Sequence, residues 1–319
     1  MAENKEKIIT SIGGQALMEG IMMRGPKKTV MAVRTPQGDI QKEEINVNTL
    51  TSKYKIFRLP FIRGIAAFID SMIIGYKSLS ASAEIAFTEE ELEESQSKFE
   101  KWIDEHFGDK ILNIIMAIST VVGILLAVFL FIVLPTYIFN FLASAYPRLY
   151  DSMMIRSVFE GCLRIILFLV YIVLCSQLRE MKRVFQYHGA EHKTIFCYEN
   201  REDLTIENVK KQSRFHPRCG TSFIILMLLI GIIVGFFIPA INPILRSIIK
   251  ILCFPVVVSI GYEVIKLCSK HENIITKIIA APGLWMQRIT TKEPEDDMIA
   301  VAIEALKEVI PDNGEDILS

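Results

Sequence analysis

The sequence predicts an α-helical polytopic membrane protein with about four transmembrane helices, a small N-terminal α+β part and a C-terminal helix. Of its 319 residues, 51% are hydrophobic, and the mean hydropathy of +0.36 is too high for a typical water-soluble protein of this length. Residues 111–147 include no charged side chain, and residues 111–134 alone exceed the roughly 20 residues that a helix needs to cross a bilayer. A second uncharged run separates Arg218 from Arg246.

The formal net charge is −1, and we predict no nucleic-acid partner.

Four stretches are predicted to span the membrane: residues 111–134, 155–178, 223–239 and 247–268. The second stretch contains Glu160 and Arg164, which are four residues apart and would share one face of a helix, where they can pair. The alternative is that these two charges mark a substrate path, which would make the protein a transporter. Asp70 and Lys77 interrupt the apolar pattern of residues 64–86, which favours an interfacial or re-entrant amphipathic helix over a complete span.

Basic residues predict the orientation of these spans. Residues 179–218 contain nine lysines and arginines, whereas the connection at residues 135–150 contains only Arg148. Because loops rich in lysine and arginine stay in the cytoplasm, we expect both termini and the central loop to be cytoplasmic. The charged start MAENKEK precedes no apolar signal core, so no cleaved leader is expected.

This pattern divides the chain into four predicted segments. They are a cytoplasmic segment with a β-hairpin at 1–63, an amphipathic or re-entrant helix followed by an acidic helix at 64–110, a membrane domain at 111–268 with a cytoplasmic loop at 179–221, and a cytoplasmic C-terminal segment at 269–319.

The N-terminal part is predicted to contain β-structure. Residues 28–47 place two strand-like stretches on either side of the turn sequence PQGD, which indicates a β-hairpin. Upstream, the adjacent Gly13 and Gly14 indicate a tight turn between strands, and a phosphate-binding loop is the alternative. Near the other end of the chain, Pro294 precedes acidic residues that suit the first turn of a helix.

The heptapeptide YHGAEHK at residues 187–193 has the pattern of a metal site. His188, Glu191 and His192 form H-x-x-E-H, the spacing of the inverzincin metallopeptidases. On a helix, the two histidines share a face, so both imidazoles can bind one ion while Glu191 stands beside it as a base. The alternative is a polar surface helix whose histidines pair locally.

A second polar cluster, RFHPRCGTSF at residues 214–223, offers a third ligand. His216 or Cys219 would leave a fourth position open for water, whereas both together would close a four-ligand structural site. The ion would be Zn²⁺ or another divalent transition metal, and Arg24 or Arg218 would stabilise negative charge that develops during a reaction. A separate possibility is that Cys219 acts as a thiolate nucleophile.

Four segments of the chain resemble those of one family. GGQALMEGIMMRG, YHGAEHKTI, HPRCGTSF and PGLWMQRITTKEPEDD are similar to the signatures of the bacterial YqhQ family, a membrane family of unknown function labelled as a predicted metal-dependent enzyme. The resemblance extends from about residue 13 to residue 306 and implies a location in the bacterial cytoplasmic membrane. It also implies that Glu19, Arg24, Gln287 and Arg288 belong to a shared core, so that the N- and C-terminal parts meet over the cytoplasmic mouth of the membrane domain.

The leading hypothesis from the sequence is a membrane-embedded, metal-dependent hydrolase with its site at the cytoplasmic face. It would cleave an ester, amide or phosphoryl bond in a membrane-protein segment or a lipid-linked molecule, with Glu191 deprotonating the water. The alternative is a non-catalytic membrane scaffold or regulator in which the metal site is structural. The sequence leaves the oligomeric state open.

Overall fold

The computed structural model describes residues 7–46, 49–88, 109–146, 152–239, 242–268 and 273–318. The predicted acidic helix, at residues 89–104, lies outside this part of the chain. The strands are β1 (Gly13–Leu17), β2 (Gly20–Arg24), β3 (Thr29–Arg34) and β4 (Ile40–Glu44). The helices are α1 (Leu50–Lys53), α2 (Ile62–Ala86), α3 (Asp109–Val128), α4 (Leu134–Ala145), α5 (Met153–Cys175), α6 (Arg179–Glu199), α7 (Ile206–Lys211), α8 (Gly220–Gly235), α9 (Pro243–Cys268), α10 (Ile274–Thr290) and α11 (Asp296–Val309). A 3-10 turn, Lys55–Arg58, follows α1, and a π-helical turn, Phe129–Val133, joins α3 to α4.

The chain forms two compact units, and each is assembled from separate stretches of sequence. The first, here called the mixed unit, comprises residues 1–87, 172–225 and 262–319. The second, here called the helical unit, comprises residues 88–171 and 226–261. The mixed unit holds the sheet, whereas the described residues of the helical unit are almost entirely α-helical.

The mixed unit is built on a four-stranded antiparallel sheet in the order β1-β2-β3-β4. The hairpin predicted over residues 28–47 is confirmed, because β3 pairs with β4. Alternate residues of β2 enter two different cores: Ile21 and Met23 pack in the core that includes residues of α6 and α11, whereas Met22 packs in the core that includes Ile74 of α2. The sheet is therefore the middle layer between α2 on one face and the pair α6 and α11 on the other.

The turn between β1 and β2 is centred on Glu19. The prediction of a tight turn at Gly13 and Gly14 is wrong, because both glycines lie within β1 and pair with β2. Glu19 has a φ of 49°, which is uncommon for a residue with a side chain. Its carboxylate accepts hydrogen bonds from the Arg183 guanidinium and the Tyr187 hydroxyl of α6. These bonds fix the turn to α6.

Two segments that are distant in sequence meet in the mixed unit. Thr10 forms an antiparallel β-bridge with Ile317, and the Thr10 hydroxyl donates to the Asp316 carboxylate at 2.7 Å. The hydroxyl of Tyr198, on α6, donates to the same carboxylate oxygen at 2.9 Å. Both segments are thereby attached to α6.

Helix α2 buries small and polar residues and exposes apolar ones. Asp70, Gly75 and Ser78 are buried, whereas Met72 and Tyr76 are 56% and 63% exposed. This distribution is the reverse of a helix on the surface of a water-soluble protein. It suits the interfacial or re-entrant helix that the sequence predicts for this segment.

Three helical stretches in the described part of the chain are long and apolar enough to cross a membrane. They are Ile118–Ala145, Met153–Cys175 and Pro243–Cys268. Their large apolar side chains include Leu125, Leu174 and Leu252, which are 62%, 64% and 71% exposed, and this exposure indicates a bilayer environment. The fourth predicted span is the apolar helix α8, whose 16 residues extend about 24 Å and are shorter than a hydrocarbon core of roughly 30 Å.

The first span is longer than the sequence predicts, because Pro135 does not end it. Helix α4 continues to Ala145, with Pro135 in its first turn after the π-helical turn. Proline has no N–H to donate to the carbonyl four residues earlier, which is that of Phe131. That carbonyl instead accepts a hydrogen bond of 2.7 Å from Nε of Arg164 on α5. Arg164 thus satisfies an unpaired backbone group within an apolar region, where such groups are costly, and this bond takes the place of the predicted pairing with Glu160.

Glu160 is the centre of a buried ion cluster in the helical unit. Its carboxylate contacts Arg156 at 3.0 Å and Arg246 at 3.2 Å, and it also pairs with Lys250. Arg246 donates further hydrogen bonds to carbonyls beyond the C-terminal end of α8, including that of Ile238. Because an isolated charge is unstable in an apolar region, each member of the cluster depends on the others.

Replacing Arg164 with methionine should lower the free energy of unfolding by about 1–3 kcal/mol, because the Phe131 carbonyl then loses its donor. The loss should be smaller in a Pro135→Ala background, since residue 135 would then have an N–H for the same carbonyl. Unfolding of the four proteins of this cycle in detergent measures the coupling. Equal losses in the two backgrounds would contradict this role of Arg164.

Candidate functional site

Helix α6 carries the YHGAEHK motif through the core of the mixed unit. Gly189 and Ala190 are small and allow neighbouring segments to pack closely, and Glu191, His192 and Lys193 are at most 5% exposed. The alternative of a polar helix on the surface is therefore wrong. Buried polar groups need hydrogen-bond partners, and those of α6 find them in other segments of the mixed unit.

His188, His192 and Cys219 converge on one point. The two histidines lie on the same face of α6 with ring centroids 4.4 Å apart. Nε2 of His188 is 3.1 Å from Sγ of Cys219, which lies just before α8. One possible ligand atom from each of the three residues lies within 4.8 Å of the others. This spacing is short enough for all three atoms to contact one ion.

Backbone carbonyls orient both imidazole rings. Nδ1 of His188 lies 2.9 Å from the carbonyl of Thr290, and Nδ1 of His192 lies 2.6 Å from the carbonyl of Arg214. Since a carbonyl can only accept a hydrogen bond, each Nδ1 must carry the proton. In the neutral rings, each Nε2 then has a free lone pair, which is the arrangement common among histidines that bind metals.

Cys219 lies at the N-terminal end of α8, where backbone N–H groups point out of the helix. The Thr221 N–H donates to its sulfur at 3.4 Å, and the Thr221 hydroxyl is 3.2 Å away. These contacts hold the Cys219 sulfur at the start of the helix.

His216 occupies a different position from the three grouped side chains. Its Nε2 is 3.6 Å from the carboxylate of Glu199, which also pairs with Arg218. Burial lowers the pKa of His216 to about 4, so its ring is neutral near pH 7. Gln287 fixes its backbone through two hydrogen bonds of 2.8 Å. Of the two candidates for a third ligand, the geometry groups Cys219 with the histidine pair and places His216 beside Glu199.

Glu191 is buried next to the grouped side chains. Burial raises the pKa of its carboxyl, while the interactions with the His188 imidazole and with the N–H of Gly14, 3.0 Å from the carboxylate, act in the opposite direction. Gly14 is required at this point, because a Cβ there would lie 2.8 Å from the Met22 carbonyl oxygen and 3.0 Å from the Glu191 carboxyl. The double glycine thus lets the backbone approach a carboxylate.

A cavity of about 830 Å³ adjoins this group. Glu191, His192 and Cys219 line it, together with the two arginines proposed from the sequence, Arg24 and Arg218. The cavity therefore brings one buried carboxyl, two guanidinium groups and two of the three grouped side chains to one space.

Three residues that the family resemblance points to, Glu19, Gln287 and Arg288, do not line the cavity. Glu19 holds the β1–β2 turn against α6, Gln287 supports His216, and Arg288 is exposed on α10. Sequence reasoning missed Glu199, which has no motif of its own, and the supporting carbonyls, which every residue possesses.

Comparison with known proteins places the chain in a family. Residues 59–312 match the family described as "Protein of unknown function (DUF1385)". The chain belongs to this family. It is also 35% identical over 311 residues to "Uncharacterized protein YqhQ" of Bacillus subtilis (strain 168), covering 96% of this chain and 94% of that relative. The resemblance to YqhQ is therefore confirmed, and neither description assigns an activity. No solved structure matches the chain.

The motif requires a residue without a side chain at position 189, next to His188. A Cβ at this position would lie 2.0 Å from the backbone oxygen of Lys292, in the segment that crosses α6 between α10 and α11. The same segment is fixed by a hydrogen bond from the Lys292 N–H to the Phe185 carbonyl at 2.8 Å. Thr290, whose carbonyl orients His188, lies two residues before Lys292. Displacing the segment would therefore disturb His188.

Gly189→Ala should destabilise the protein by about 1–3 kcal/mol, because a backbone atom must move to accommodate the methyl group. Gly13→Ala is the matched control, since a Cβ at Gly13 would meet nothing within 4 Å, and its effect should stay within about 0.5 kcal/mol. Thermal unfolding of both variants provides the comparison. A Gly189→Ala protein as stable as the control would show that the Lys292 segment moves freely.

Proposed function

We propose that this protein is a membrane-inserted, metal-dependent hydrolase whose ion is held by His188, His192 and Cys219. The observation that carries the proposal is the convergence of these three ligand atoms, with each imidazole oriented by a backbone carbonyl. A buried carboxyl and an open cavity adjoin the group, which is the combination that hydrolysis requires.

The chemistry of the donor set fits Zn²⁺. Two imidazole nitrogens and one thiolate are ligands that zinc accepts, and three protein ligands leave the fourth tetrahedral position open, as in catalytic sites. When bound, the ion would act as a Lewis acid and lower the pKa of a coordinated water molecule. The alternative from the sequence, that Cys219 is a nucleophile, has a base within reach, because Nε2 of His188 lies 3.1 Å from its sulfur.

Glu191 is the proposed general base. Burial raises the pKa of its carboxyl, so the carboxylate is a stronger base than an exposed one for taking a proton from water and returning it to the leaving group. The Gly14 N–H holds one carboxylate oxygen at 3.0 Å and limits the orientation of the side chain. Arg24 and Arg218, on the wall of the same cavity, would stabilise negative charge on the reacting group.

The membrane location and orientation form part of this proposal. The three apolar helical stretches support insertion, and the basic residues of 179–218 support a cytoplasmic position for the site and for both termini. We therefore propose a location in the bacterial cytoplasmic membrane and a substrate that is a membrane-protein segment or a lipid-linked molecule.

A structural metal site in a scaffold or regulator is the competing function. It is supported by the position of the ligands, which join α6 to the start of α8.

The metal assignment predicts near-stoichiometric zinc in detergent-purified protein after zinc reconstitution. His188→Ala, His192→Ala and Cys219→Ala should each lose most of the ion, because three-ligand sites depend on every ligand. Glu191→Gln and His216→Gln are the matched controls and should retain it. Elemental analysis of the six proteins measures the outcome, and zinc absent from the reconstituted wild type would overturn the assignment.

A catalytic site also predicts that Glu191→Gln lowers kcat by about 10²–10⁴-fold, because the amide cannot accept the proton. The measurement is turnover of ester, amide and phosphoryl substrates by zinc-loaded wild type and variant with equal metal content. If metal removal abolishes turnover but Glu191→Gln does not, Glu191 is not the base. If no substrate is turned over and Cys219→Ala only destabilises the fold, the structural function is favoured.

A further inference from the structure

Guanidinium groups outnumber carboxyl groups on the described wall of the cavity beside the grouped side chains. Among the described residues, its lining contains two arginines, Arg24 and Arg218, and one acidic residue, Glu191. No lysine or aspartate of the described part of the chain lines it. A cleft of this kind attracts anions.

The two arginines differ in how much of their hydrogen-bonding capacity is available. The Arg218 guanidinium pairs with the buried carboxylate of Glu199, which fixes its position. Arg24, at the end of β2, is exposed, and its guanidinium makes no hydrogen bond or ion pair within the described residues. A guanidinium presents five N–H donors in a planar arrangement that matches carboxylate and phosphate oxygens. Arg24 is therefore the side chain that is free to bind an anion.

The wall next to Arg24 leaves space for a ligand. Gly13 is the residue of β1 that pairs with Arg24, and Gly13 also lines the cavity. A Cβ at Gly13 would meet nothing within 4 Å, and its φ is not in the left-handed region. Neither packing nor backbone conformation thus explains this glycine. The consequence of its missing side chain is open space in front of the arginine.

Helix α2 contributes a wall of the same cavity and exposes an apolar surface on other faces. Ser71 and Ile74 line the cavity, whereas the neighbouring Met72 and Ile73 are 56% and 48% exposed. A ligand with its anionic group in the cavity would therefore have an apolar surface nearby. This arrangement suits a molecule with an anionic head and an apolar tail.

We propose that the cavity binds the phosphoryl group of the substrate and that Arg24 is its principal binding side chain. This proposal rests on the proposed hydrolase function and narrows its substrate to a phosphate ester. A phosphoryl group has several charged oxygens, so it can form charge-assisted hydrogen bonds with the free guanidinium of Arg24, which a neutral ester or amide cannot match. In the reaction, the water oxygen bonds to phosphorus and the ester P–O bond breaks. The proton taken by Glu191 goes to the departing oxygen.

The phosphoryl group has two possible sources, a lipid head group and a free phosphate ester. Binding to the full-length Glu191→Gln protein in detergent separates them, because this variant should bind without turnover. The probes are inorganic phosphate, a short-chain phosphatidic acid and the matching uncharged diacylglycerol. Tighter binding of phosphatidic acid than of phosphate assigns the lipid source, and equal binding assigns the free source. Binding of diacylglycerol as tight as that of phosphatidic acid would overturn the proposal.

Substitutions in the same background test the position of the phosphoryl group. Arg24→Gln should weaken phosphate binding by about 10–100-fold, the effect of losing hydrogen bonds to a charged group. Arg288→Gln is the matched control, because this exposed arginine does not line the cavity, and binding should be unchanged. Gly13→Leu should fold normally and weaken binding by filling the space. Equal phosphate affinity in Arg24→Gln and Arg288→Gln would overturn the proposal.

Metal content measured on the same samples separates this proposal from the hydrolase function. Zinc-loaded protein that binds neither phosphate nor phosphatidic acid leaves the metal site in place and removes the phosphoryl assignment. Protein without zinc that binds phosphate through Arg24 removes the hydrolase function and leaves an anion-binding cavity.

Discussion

The arrangement of the mixed unit depends on the burial of one polar helix. Helix α6 packs beside α11 on one face of the sheet, with Glu191, His192 and Lys193 almost fully enclosed. A buried polar group without a partner costs about 1–3 kcal/mol, so every such group on α6 constrains a neighbouring segment. The hairpin turn, the segment before α8 and the segment after α10 are each attached to α6 in this way.

The same constraint positions the candidate site. The carbonyls that orient His188 and His192 come from two different segments, and the N–H that holds Glu191 comes from a third. The grouped side chains are consequently fixed before any ligand binds. A ligand would not need to order them, which lowers the entropic cost of binding.

The sequence predicts those features that depend on local spacing. The hairpin of β3 and β4 follows from alternating residues around a turn, and the shared face of His188 and His192 follows from their separation by four residues. Cys219 comes close to them because the chain turns back into an apolar helix immediately after it, which the sequence also indicates. Proximity in sequence and helical geometry are sufficient for these conclusions.

Features that depend on distant partners are not predictable in this way. A helix with the composition of α6 has the appearance of a surface helix, and only its tertiary contacts account for its burial. In the sequence, Pro135 has the appearance of a helix end. The side chain that donates to the Phe131 carbonyl in place of the missing N–H, that of Arg164, belongs to a different helix. The tight turn assigned to the double glycine is wrong for a related reason, since Gly14 is needed for its approach to Glu191, which lies 177 residues away.

The contact between Thr10 and Asp316 has a consequence for the order of assembly during synthesis. These residues are 306 positions apart, and α11, which packs against α6, also follows it by many residues. Apolar helices such as α5 leave the ribosome well before α11 is made. Helix α6 can therefore reach its buried state only after α11 has been synthesised. The two imidazoles are then oriented at different times, because the carbonyl of Arg214 is available to His192 well before the carbonyl of Thr290 is available to His188.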